Sequence, residues 1–146
     1  MTRDLTEAEN NLRRKMADHA RKMTVDAGFP DPGENALPPE VLDRLWADWD
    51  WDDQLAEADQ RRIVVAFFGF ALGEYLVSRT SMRWSIVSDE DGDDYALVAT
   101  SSDATIFPLA IVHKQIGGDP FFGSIAPALI RDALAVPSKP KPWWRF

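Results

Sequence analysis

Five carboxylates, Asp89, Glu90, Asp91, Asp93 and Asp94, stand around a single glycine, Gly92. That many oxygen ligands in one turn could hold calcium, draw in a basic partner, or simply close a hairpin. With Gly92 at the sixth position of a calcium loop, Asp89 and Asp91 fall on the third and fifth ligand positions. The first and twelfth positions are then Val87 and Val98, so one carboxylate and the bidentate glutamate are missing. Asp-Gly, by contrast, readily adopts the φ > 0 conformation of a tight turn. The expectation is a hairpin carrying surplus negative charge. With Asp91-Gly92 as its turn, Glu90 would oppose Asp93 and Asp89 would oppose Asp94, like charges across the ladder. Either the loop is wider than two residues, or a cation or basic partner offsets that repulsion; the latter makes Asp89, Asp91, Asp93 and Asp94 candidate partner contacts. Changing Asp93 and Asp94 to Asn should then stabilise the free protein.

Glu74 is the other carboxylate of interest. On a helix its neighbours at i−7, i−4, i−3 and i+3 are Phe67, Phe70, Ala71 and Val77, all apolar. A carboxylate there pairs with a cation, Arg79 or Arg83 being the candidates, or has a raised pKa; otherwise its face has already reached solvent. The stretch DWDWDDQ, residues 48–54, could form a sugar platform. Trp46 and Trp49, however, recur at helical spacing as core residues do, and its aspartates fit caps and turns. His19 and His113 lie on separate segments with no triad motif around either. There is no H-E-x-x-H, no P-loop and no G-x-G-x-x-G between a strand and a helix. No catalytic residue, metal ligand or cofactor-binding residue is therefore assigned, and no cofactor is expected.

Composition narrows the classes further. The chain has no cysteine, which excludes disulfides, zinc–thiolate sites and thiol nucleophiles. Its net charge is −8 over 146 residues, the wrong sign for phosphate-backbone recognition, so nucleic acid is not an expected partner. The longest apolar run, residues 63–73, falls short of the ~20 residues that span a bilayer, and the charged start lacks an apolar leader. Cytoplasmic and soluble, with no membrane partner, is the expectation. The last ten residues carry three basic and no acidic side chains. This KPKPWWRF tail, with Trp143 and Trp144, either stays free and extended or docks onto an acidic surface, its own or that of a second copy of the chain.

The elements that must position these residues are read from caps, breakers and periodicity. Thr6 and Glu9 form a capping-box signature for a helix over about residues 7–23. Breakers fill residues 27–39, and Pro38-Pro39 opens a second helix carrying Leu42, Leu45, Trp46 and Trp49. A third helix, from about Gln54 to Arg79 and capped by Asp52 or Asp53, is apolar on nearly every face. Alternation after Thr80 gives a hairpin, with Ile86 paired to Leu97 and Trp84 to Ala99. A short strand covers residues 105–107; Pro108 ends it, sits at a sheet edge or starts a helix through Gln115, and a last helix opening at Asp119-Pro120 runs to about Ala135. The fold class is α+β: N-terminal helices, a long central apolar helix, a small antiparallel sheet built on a hairpin, and a C-terminal helix with an extended tail. Residues 1–136 are read as one domain and 137–146 as the tail.

From Gly69 onward the chain resembles a largely bacterial domain of unknown function, family 3806. The resembling stretches are GFALGEYL at 69–76, MRW at 82–84, VSDEDGDDYALV at 87–98 and IFPLAIVHKQI at 106–116. The resemblance implies a compact domain with no assigned activity, in which Gly73, Glu74, Trp84, Gly92 and Pro108 share one structural plan. The leading expectation is a non-catalytic protein-binding domain whose acidic surface meets a basic partner, immunity- or antitoxin-like in its sharpest form. The alternative is a small-ligand binder or enzyme with a pocket near Glu74, Trp84 and His113. A homo-oligomer joined through the tail is the third reading.

Overall fold

In the computed structural model, residues 2–33, 35–49, 58–100 and 104–134 are described. The expected cap at Asp52 or Asp53 and the tail with Trp143 and Trp144 lie outside them. The architecture is α+β, and the described elements follow in order. They are β1 (Thr2–Arg3), α1 (Glu7–Asp26), α2 (Pro39–Ala47), α3 (Ala58–Arg79), β2 (Arg83–Asp89), β3 (Gly92–Val98), β4 (Thr105–Ile106), α4 (Pro108–Gln115) and α5 (Phe122–Leu134).

α1 starts at its capping box: the Glu9 N–H donates to the Thr6 hydroxyl, and the Thr6 N–H donates to the Glu9 carboxylate. It runs one turn beyond the expected end, because Thr24 is buried and its hydroxyl donates to the Ala20 carbonyl at 2.8 Å. α2 opens on Pro39, whose missing N–H costs nothing in a first turn. α3 is the centre of the fold, with Val64, Phe68, Leu72 and Leu76 fully buried along it.

Trp46 of α2 joins these layers. It is fully buried, and its indole meets Phe68, Phe121 and Phe122 edge-on at centroid distances of 4.9, 5.1 and 5.5 Å. Its Nε1–H donates to the Gly118 carbonyl at 2.9 Å. α5 is held to α2 by Asp43, whose two carboxylate oxygens accept from the Phe122 and Gly123 N–H groups at 2.7 and 2.9 Å. An anion bound by free first-turn amides also complements the helix dipole. Asp43→Ala is expected to lower unfolding stability by about 1–2 kcal/mol, the usual cost of a lost N-cap, with the midpoint of urea unfolding as the measurement.

The sheet is an antiparallel meander in the order β1-β2-β3-β4. The hairpin register differs from the expected one: Ile86 pairs with Tyr95, Trp84 with Leu97 and Asp89 with Gly92. The turn is therefore Glu90-Asp91, and the positive φ, +120°, falls on Gly92 just after it. The Asp91 N–H donates to the Asp89 side chain at 2.8 Å, which favours this earlier turn. A shift of two residues preserves which side chains share a face, so Trp84, Ile86 and Leu97 still point toward the helices. β1, unmarked in the sequence, pairs Thr2 with Val87 and Arg3 with Ile86. The third strand ends at Ile106, because Pro108 already belongs to α4.

Two glycines set the close approaches around α3. A Cβ on Gly69 would lie 2.9 Å from the Leu109 Cα of α4. A Cβ on Gly73 would lie 2.2 Å from the Trp84 ring. The i, i+4 glycine pair is thus where α4 and the sheet both reach the central helix.

Candidate functional site

The revised register removes most of the expected repulsion in the acidic hairpin. Glu90 and Asp91 project at the tip, and Asp89 faces glycine rather than Asp94. Asp93 lies opposite Ser88, whose hydroxyl donates to its Oδ1 at 2.5 Å, and the Arg3 guanidinium stands 3.8 Å from its Oδ2. Asp94 lies opposite Val87 and is half-buried. Burial pushes its carboxyl above the usual carboxylate range; a hydrogen bond from the Tyr95 N–H opposes this, and the Asp89 charge adds to it.

The two aspartates therefore behave differently. Asp94→Asn is expected to stabilise the protein by a few tenths of a kcal/mol, since it removes a charge the fold disfavours. Asp93→Asn is expected to give no gain, because it weakens the contacts to Ser88 and Arg3. Thermal unfolding of the two single variants at pH 7 checks this, and equal stabilisation by both would contradict the structure.

Arg3 ties the hairpin to α1. Its guanidinium donates to both Glu9 oxygens at 2.7 and 3.0 Å. The Arg3 hydrogen bonds, then those from Thr6, hold the Glu9 carboxyl at about 2. A depressed folded pKa gives a contribution that is complete above the unfolded value and fades as pH falls through the folded one. Protection of the Thr2 and Arg3 amides, taken relative to the intrinsic exchange rate at each pH, should therefore be full at pH 5 and decline as pH falls from about 4.5 toward 2.

Glu74 is neither buried alone nor free. Arg13 of α1, 61 residues earlier, donates to its Oε1 at 2.5 Å, and the side chains are 19 % and 24 % exposed. Neither expected partner, Arg79 or Arg83, makes this pair. Arg83 lies 3.7 Å from Asp4 instead. Trp84 packs against Phe70 and Tyr95 at 5.4 and 6.3 Å, and its indole Nε1 is shielded with no hydrogen-bond partner among the described residues. His113 is exposed in the last turn of α4, beside a hollow of about 490 Å³ lined by Arg61, Arg62, Val65 and Leu109.

The expected grouping of Glu74, Trp84 and His113 around one pocket is not what the fold provides. Glu74 lines a cleft against α1, Trp84 covers Gly73, and His113 borders the separate hollow near the start of α3. Successive helical positions diverge by about 100°, so Gly73 and Glu74 face different neighbours. Of the DWDWDDQ stretch only Asp48 and Trp49 are described, and Trp49 packs on Phe67 and Phe68 as a core residue does; residues 50–54 lie outside the described residues. Among the described residues no three His, Asp or Glu side chains gather as metal ligands would, and no helix is long and apolar enough to cross a membrane.

Sequence reasoning missed Arg13, Asp43 and Arg3. Arg13 was one of many charges on α1, and Asp43 caps a helix 79 residues away. The Thr6–Glu9 signal located the start of α1 but gave no sign of the arginine that Glu9 also holds.

These features define a class: a small α+β domain, a helical core with a four-stranded meander laid on its central helix. The chain belongs to the family described as Domain of unknown function (DUF3806), which matches residues 47–121, just over half of it. The matched stretch holds all of α3, the hairpin, β4 and α4, while α1 and nearly all of α2 precede it. No curated protein and no solved structure matches the chain.

Proposed function

We propose that the chain is a non-catalytic protein-binding domain whose acidic hairpin meets a basic partner in the cytoplasm, as an immunity or antitoxin protein does. The supporting observation is the exposure of Asp89, Glu90, Asp91 and Asp93 at the end of a paired hairpin. Glu90 and Asp91 have no ion pair among the described residues. Charges held on a paired hairpin lose little freedom on binding, and a surface of one sign speeds encounter with its opposite.

The test compares affinity capture from cells by the wild-type chain and by a variant with Asp89, Glu90 and Asp91 changed to Lys. A basic protein bound directly, released by raised salt and lost with the variant, supports the reading. Capture of the same proteins by both chains overturns it.

A further inference from the structure

Between α1 and α3, closed at one end by residues 35–37, runs a cleft of about 430 Å³. It exists because Ala17, Ala20 and Ala71 are small where the two helices face each other. With Leu37 and Val77 they give it an apolar floor. The volume lies within the range of small-molecule sites, about 300–1,000 Å³.

The wall above this floor is built from arginines, in a chain whose net charge is −8. Their roles differ. Arg13 is engaged by Glu74, and the pair ties α1 to α3 across the cleft, holding its width. Arg21 is engaged by Asp18 and donates to the Gly33 carbonyl at 2.6 Å, fixing the loop that closes one end. Arg14 is exposed and has no ion pair among the described residues. Two arginines thus build the frame, and the third is left available beside an apolar floor.

We propose that this cleft is a binding site for a small organic anion. Arg14 meets a carboxylate or phosphate head, for which its planar fork is suited, and the alanine floor takes a compact apolar body. The site depends on neither the acidic hairpin nor its partner, so each can fail without the other. It uses α1, which lies outside the stretch that matches the family.

The probes are phenyl phosphate and benzoate, with benzyl alcohol as the uncharged counterpart and inorganic phosphate as the bare head. Amide shifts are followed by NMR on the full chain. One of the two aromatic anions should move the amides of 13–21, 35–37 and 71–78 saturably, and the tighter of them identifies the head. Arg14→Gln should weaken it about five-fold, the upper range for an exposed ion pair. Ala17→Leu, which fills the floor, should reduce its affinity to that of inorganic phosphate. Shifts confined to the outer face of α1, at Asn11, Lys15, His19 and Lys22, would overturn the proposal. So would equal binding of benzyl alcohol, undiminished binding by Arg14→Gln, or no shift at all.

Discussion

Gly73→Ala is expected to destabilise the fold by about 2–3 kcal/mol, toward the upper end for overpacking a core. The added methyl would stand 2.2 Å from both Cη2 and Cζ2 of Trp84, far inside contact distance. The indole cannot simply swing aside, since Phe70 and Tyr95 flank it and Pro108 lies 3.4 Å from the same Cβ position. The strand carrying Trp84 must move, or α3 must. The two clashing atoms are ones that a phenylalanine lacks, so Trp84→Phe in the Gly73→Ala background should recover part of the loss. A double-mutant cycle by urea unfolding measures this. Purely additive effects would show that Gly73 matters for some reason other than the indole.

Trp46→Ala carries the other large effect, about 3–5 kcal/mol. The whole stability of a domain this size is about 5–15 kcal/mol, so the variant gives up a large share of it and should be loosely packed. The loss has separable parts. Trp46→Phe keeps an aromatic ring against Phe68, Phe121 and Phe122 but leaves the Gly118 carbonyl without its indole donor. That variant should lose about 1–3 kcal/mol and remain cooperative in unfolding. Near-ultraviolet circular dichroism, which reports fixed aromatic packing, should collapse for the alanine variant and survive for the phenylalanine one.

How far the fold could be read from the residues follows from the range of each interaction. The start of α1 was legible because Thr6 and Glu9 are three positions apart and complete each other locally. α2 was legible because Pro38-Pro39 opens it, whereas Pro108 fitted a strand end or a sheet edge as well as the start of α4 that it proves to be. The sheet faces came out right even though the register was two residues off, since side-chain direction repeats every two. The register itself turned on which pair formed the turn. Asp-Gly favoured Asp91-Gly92, while the Asp89 side chain, bound to the Asp91 N–H, draws the turn one position earlier. The longer-range contacts left no local mark. Glu74 stood out as a carboxylate among apolar neighbours, yet nothing near it named Arg13. Nor could spacing show that Trp84 and His113 face away from it, because that depends on which neighbours surround α3. The same holds for the cleft, whose alanines lie on two helices and become one surface only when those helices pack.

The two-residue strands at either edge of the meander also govern how copies of the chain treat each other. A sheet grows sideways when an exposed edge offers a run of free N–H and C=O groups to a strand from another molecule. Here the seven-residue β2 is flanked by Thr2–Arg3, and β3 by Thr105–Ile106. Both covers are too short to template a further strand. Removing residues 2–5 would strip one of them and add Ile86 and Val87 to the part of the β2 margin that β1 leaves uncovered, lengthening the edge a second molecule could pair with.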